Sequence, residues 1–161
     1  MSTERNPMSK EAYDRKKAEL DRMKNEDMTR IAEQIAAARA FGDLSENAEY
    51  DAAREAQGML QAKINVLQEQ LALAFIVDKA MIKTDRVAFG AKVKVLDLDF
   101  KEEEEFILVG LGDEDYDKNK ILVNSPIGQG LLGKQVGEEA SIAVPRGTLR
   151  LRVLEIGLGI E

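Results

Sequence analysis

Phe41-Gly42-Asp43-Leu44-Ser45-Glu46-Asn47-Ala48-Glu49-Tyr50 interrupts two long, alanine-rich stretches of helical pattern. It sets three carboxylates, Asp43, Glu46 and Glu49, within seven positions. The local chemistry is that of a sharp turn between two helices. Gly42 suits the left-handed position that ends a helix, because it has no Cβ to clash. Asp43 suits the N-cap of the next helix, and Glu46 three residues on completes a capping box. On that reading the acids serve only the turn. On the sharper reading, two long helices exist to hold Asp43 and Glu46 out at a tip.

Outward from the turn, no Gly or Pro interrupts the chain between Ser9 and Ala40. Ser9 is a suitable N-cap. Leu20, Met23, Met28, Ile31, Ile35 and Ala38 recur mostly at three- and four-residue steps, which predicts one long helix. On the other side, Leu60, Ile64, Leu67, Leu71 and Ala74 form a heptad seam, predicting a second helix from about Ser45 to Val77. Two such helices joined by a tight turn make an antiparallel coiled-coil hairpin. Ala36, Ala37, Ala38, Ala40, Ala48, Ala52, Ala53 and Ala56 crowd the turn end, so the hairpin is expected to narrow toward an acidic tip that suits a confined channel. The plainer account of those alanines is helix propensity. Residues 1–8 read as a polar lead-in.

The period changes after Lys83. Val87, Ala91 to Leu96, Glu105 to Val109, Ile121 to Val123, Ser141 to Val144 and Leu149 to Leu154 are short runs rich in β-branched residues, several alternating with charges. Gly110, Gly112, Asn119, Gly137, Pro145 and Gly147 punctuate them. Ser125 followed by Pro126 predicts the N-cap and first position of a short helix. The expected fold class is therefore α+β, with a coiled-coil finger over residues 1–82 and a mostly antiparallel β domain over 86–161. Lys79 to Asp85 is the expected hinge, and Glu102 to Glu105 a solvated turn and edge.

Composition narrows the chemistry. A formal net charge of −7 over 161 residues argues against a general basic grip on nucleic acid. The chain has neither Cys nor His, which removes thiolate and imidazole as nucleophile, general base or metal ligand. A metal held here would be a hard ion on oxygen ligands, with Mg²⁺ the leading candidate. No stretch has the length and apolarity of a signal or membrane span, so a soluble cytoplasmic protein with no membrane partner is the expectation.

The stretch Gly42-Asp43-Leu44-Ser45-Glu46-Asn47-Ala48-Glu49-Tyr50 resembles the tip signature of the bacterial GreA/GreB transcript-cleavage factors. The resemblance continues through Ala53-Arg54-Glu55, Gln57-Gly58, Val87-Ala88-Phe89-Gly90-Ala91, Asn124-Ser125-Pro126-Ile127 and Leu132-Gly133-Lys134, and it is nearer the GreA branch. It implies an N-terminal coiled-coil finger and an FKBP-like C-terminal domain. It further implies a transcription elongation factor whose C-terminal domain docks on the rim of the RNA polymerase secondary channel. The finger then enters the channel and stimulates cleavage of the 3′ end of backtracked nascent RNA. The family's two tip acids match Asp43 and Glu46, which help hold a Mg²⁺ shared with the polymerase active site. No tightly bound cofactor is implied, and the family does no chemistry alone.

Other positions carry over more loosely. Gly42, Asn47 and Tyr50 are expected to brace the tip, and Arg39 matches an RNA-contacting position. Ser125, Pro126 and Ile127 are docking candidates, and the chain is expected to be monomeric. Departures lie at Asp27-Met28-Thr29-Arg30, where the family often has an Arg- and Pro-containing start, at Phe41, where it often has His, and at Pro145-Arg146-Gly147-Thr148. Two competing functions stand beside this one. A non-catalytic regulator could use the same scaffold in the same channel, and the intact Asp43/Glu46 pair weighs against it. A prolyl isomerase with a coiled-coil arm is disfavoured, because that class relies on an aromatic pocket floored by Trp and this chain has no Trp.

Overall fold

The computed structural model describes residues 5–43 and 47–159. Two compact units emerge, each with its own core. The first is Tyr13–Ala74. The second combines Arg5–Ala12 with everything from Phe75 onward, so Lys79 to Asp85 lies inside it.

The first unit is an antiparallel helical hairpin. Its first arm comprises α1 (Lys10–Arg22) from Tyr13 onward, a wider π-type turn at Met23–Asp27, and α2 (Met28–Arg39). Ser9 caps α1 as expected, its Oγ accepting from the Ala12 amide at 3.1 Å. The expected single α-helix is thus interrupted in its hydrogen bonding. The Met28 amide donates to the Met23 carbonyl five residues back. Thr29 Oγ also donates to the Asn25 carbonyl at 2.8 Å, a local competitor for the helical ladder. The second arm, α3 (Ala48–Ala72), is 25 residues long. Leu20 and Met23 pack on Ile64 and Leu67, with Met28, Leu60 and Leu71 closing the cluster.

α3 stops short of the expected Val77. The chain turns at Leu73, and Ala74–Ile76 becomes a strand, so Ala74 leaves the seam. Near the turn, Ile35, Ala38 and Ala53 are the buried positions among the described residues, while Ala36, Ala37, Ala40, Ala48 and Ala52 are exposed. Most of those alanines therefore act through helix propensity, and two of them line the seam.

In the second unit, β1 (Asn6–Met8) pairs with β2 (Ala74–Ile76). Residues 6–8 are therefore not a loose lead-in: Met8 is 0% exposed, and its carbonyl accepts from the Val77 amide at 2.9 Å. The main sheet contains β3 (Ala91–Asp97), β4 (Glu102–Val109), β5 (Lys120–Leu122), β6 (Glu139–Val144) and β7 (Gly147–Leu158). Its spatial order is β5-β4-β3-β7-β6, antiparallel except for the parallel β4–β5 pair. Strict alternation on β3 buries Ala91, Val93 and Val95 and turns Lys92 and Lys94 outward.

Glu102 to Glu105 form the first half of β4 rather than a turn. Their register sets Glu105 opposite Lys94 and Glu103 opposite Leu96, and the ion pairs run diagonally, Lys92 to Glu105 at 3.2 Å and Lys94 to Glu103 at 3.4 Å. Val87 is buried but joins no strand, exchanging backbone hydrogen bonds with Gly133 and Lys134. The short helix α4 (Pro126–Leu131) forms as expected, with Ser125 Oγ accepting from the Gly128 amide at 3.1 Å and Pro126 at its first position. Leu131 drops from α4 into the sheet core.

The β3–β4 turn is held by carboxylates. Buried Asp97 accepts from the Asp99 and Phe100 amides at 2.9 and 3.1 Å. Arg150 on β7 reaches Asp99 at 2.7 Å, and that hydrogen bond holds the Asp99 carboxyl below its ordinary pKa.

Candidate functional site

The tip begins where α2 runs out of ladder. The Ala40 amide still reaches the Ala36 carbonyl at 3.3 Å, and the Gly42 amide reaches Arg39 at 3.2 Å. Gly42 then takes φ +103°, where a side chain would be strained. Phe41 is 75% exposed beside it, and Asp43 is exposed too. Glu46 lies outside the described residues.

α3 is capped by Asn47, not by Asp43. Asn47 adopts extended backbone angles, and its Oδ1 accepts from the Tyr50 amide at 3.0 Å. Asp43, Ser45 and Asn47 are all cap-competent types at alternate positions, so the choice depends on how many residues the turn needs. The turn is longer than the capping-box reading required, and this separates Asp43 from the start of the helix. Asn47 does a second thing. Its Nδ2 donates to the Ala38 carbonyl at 2.7 Å, tying the end of one helix to the start of the other. Arg39 places its guanidinium 5.8 Å from the Tyr50 ring centroid, a second tie across the same turn. No pattern of spacing announced these two ties, since each pairs residues of opposite helices.

Glu49 and Asp51 fall in the first turn of α3 and Arg39 in the last turn of α2, each matched in sign to the helix end it occupies. Among the described residues no group of three or more carboxylates is gathered to hold a metal.

The docking candidates divide by exposure. Ser125 spends its hydroxyl on the α4 cap, and Ile127 packs against the sheet core. Pro126 is the exposed member. The second unit also holds an open cleft of about 840 Å³ whose lining includes Ser9, Asp78, Lys92 and Asp113. Ser9 donates to Asp113 at 2.5 Å, Lys92 pairs with Glu105, and Asp78 caps a short helical turn. These polar groups are committed to the fold, which leaves the hairpin tip as the stronger candidate.

Two family profiles match the chain. "Transcription elongation factor, N-terminal" covers residues 6–76, and "Transcription elongation factor, GreA/GreB, C-term" covers residues 82–157. The chain belongs to the GreA/GreB transcription elongation factor family. A family relative, transcription elongation factor GreA of Thermodesulfovibrio yellowstonii, is 47% identical over 154 residues, covering 96% of this chain and 98% of its own. GreA of Chlorobaculum tepidum is 46% identical over 150 residues, covering 92% of this chain and 94% of its own. The solved structure of GreA factor homolog 1 from Thermus thermophilus is 23% identical, with a TM-score of 0.45 and coverage of 95% and 99% of the two chains. The chain is accordingly a transcription elongation factor.

Proposed function

We propose that this elongation factor inserts its helical hairpin into the secondary channel of RNA polymerase and stimulates cleavage of the 3′ end of backtracked nascent RNA. The observation that carries the reading is Asp43, an exposed carboxylate on the turn that closes the hairpin, in a chain of this family. Asp43 and Glu46 are the residues that would hold the Mg²⁺ shared with the polymerase active site. The donor set fits: these are hard oxygen ligands, too few for a cage and sufficient for an ion completed by water, polymerase carboxylates and RNA phosphates. In two-metal phosphodiester hydrolysis, bound Mg²⁺ supplies activation of water and stabilisation of the leaving oxygen. The chain contributes ligands and their placement, and the polymerase supplies the remaining catalytic machinery, so the factor is not an enzyme by itself. Arg39, where it leaves the Tyr50 ring, is the candidate for contact with the RNA. Docking on the channel rim falls to the second unit, with Pro126 exposed for it and Ser125 and Ile127 holding it in place.

The test is RNA cleavage by a stalled, backtracked polymerase complex with and without the protein. Asp43→Asn combined with Glu46→Gln removes both anionic ligands and keeps side-chain shape. This variant should bind polymerase with wild-type affinity and reduce stimulated cleavage to the level of polymerase alone. Near-wild-type cleavage would remove the metal role. Inhibition by the unaltered protein would instead make it a non-catalytic regulator of the same channel.

A further inference from the structure

We infer that Asn47 is a positioning residue for the acidic tip, acting through a two-sided amide strap whose loss loosens Asp43 without unfolding the hairpin. This rests on the cleavage-stimulating reading above. The geometry assigns the two ends of one side chain to two helices. Oδ1 satisfies the Tyr50 amide, one of the orphan donors at the start of α3. Nδ2 satisfies the Ala38 carbonyl, one of the orphan acceptors at the end of α2. Ala38 is buried in the narrow part of the seam, so the strap is anchored to packed backbone rather than to a mobile surface group.

The side-chain choice is specific. Asp or Ser would cap α3 about as well as Asn, because the cap requires only an oxygen. Neither supplies the Nδ2 donor, since a carboxylate only accepts and the Ser hydroxyl is too short to span both ends. A plain helix start needs any good cap; a turn held at fixed width needs the amide. Gly42 and Asp43 lie inside the span that the strap closes, from Ala38 to Asn47. The strap therefore restrains the segment carrying Asp43, the function that outer partners serve for metal-holding carboxylates. The Arg39–Tyr50 stack lies across the same turn and acts in the same direction.

The experiment uses the full chain with Asn47→Asp and, separately, Asn47→Ser. Both should melt no more than a few degrees below the wild type, the cost of the lost hydrogen bond to the Ala38 carbonyl, keep a protected Tyr50 amide, and half-saturate polymerase at the wild-type concentration. In the free protein, ¹⁵N relaxation should show lower order parameters at Gly42 and Asp43 in both variants. At saturating factor, cleavage by the backtracked complex should fall roughly 10–100-fold, the range for loss of an outer partner of a metal ligand. The Mg²⁺ concentration giving half-maximal cleavage should rise, so that added Mg²⁺ restores part of the rate. Unchanged order parameters at Gly42 and Asp43 would overturn the inference, as would a rate loss with no change in the Mg²⁺ midpoint. The Asp43→Asn, Glu46→Gln variant separates the two levels. If it is inactive while both Asn47 variants behave as wild type, only the strap fails; if it cleaves normally, the underlying reading fails.

Discussion

Gly110 offers a sharp test of the placement of residues 6–8, the segment whose sequence reads as a loose lead-in. A Cβ on Gly110 would lie 2.1 Å from the Pro7 carbonyl oxygen, 2.9 Å from the Pro7 carbonyl carbon and 2.7 Å from the Phe89 ring. Ordinary contact separations are about 3.5–4.0 Å, so Gly110→Ala must displace backbone by about 1 Å or more. Two responses compete. Compression of the packed neighbours costs about 1–3 kcal/mol, and more where the obstacle is main chain. Release of β1 forfeits the burial of Met8, about 1.5–3 kcal/mol, and the hydrogen bond from Val77 to Met8, about 0.5–1.5 kcal/mol net. Release sets the ceiling, so the expected loss is roughly 2–4 kcal/mol.

Gly58→Ala is the matched control. Gly58 sits inside α3 with nothing within 4 Å of the added Cβ, so the same chemical change should stabilise by about 0.5–1 kcal/mol. Urea unfolding followed by circular dichroism reads both signs, and amide exchange at Val77 reports β1 directly. A Gly110→Ala shift below about 0.5 kcal/mol, with Val77 as protected as in the wild type, would refute the packing of Pro7 on Gly110.

Two further outcomes follow from the charged groups. The Asp99 pKa is lowered by its hydrogen bond from Arg150, so that pair's stabilisation is present above the ordinary value of 3.8 and is lost as pH falls through the lower folded value. An NMR titration should place the Asp99 midpoint below 3.8, Arg150→Met should raise it, and an unmoved midpoint would dismiss the pair. For the free protein, calorimetric titration with Mg²⁺ should show no stoichiometric site, because an exposed carboxylate tip lacks the phosphates and further ligands that complete the shell. A tight site in the absence of polymerase would contradict a shared ion.

Much of the architecture was legible because it depends on local period and local chemistry. The seam of Leu60, Ile64, Leu67 and Leu71 declares a helix and its buried face without reference to any partner. Ser125-Pro126 likewise contains its own cap and its own first turn, and the alternation of β3 states which side of the sheet is buried. The tip was legible as an acidic turn closed by Gly42, and its family signature was recognisable in the residues themselves. What only the tertiary structure decided are the choices among locally equivalent options. Asp43, Ser45 and Asn47 are all competent caps, and Asn47 prevails because its amide also finds the Ala38 carbonyl nine residues back. Arg39 reads from the sequence as a candidate RNA contact, and only the folded turn shows Tyr50 beside its guanidinium. Met8 looks like part of a polar tail until β2, distant in sequence, supplies the partner that buries it. Each of these rests on a pairing between separated segments, and a short window of sequence contains only one of the two partners.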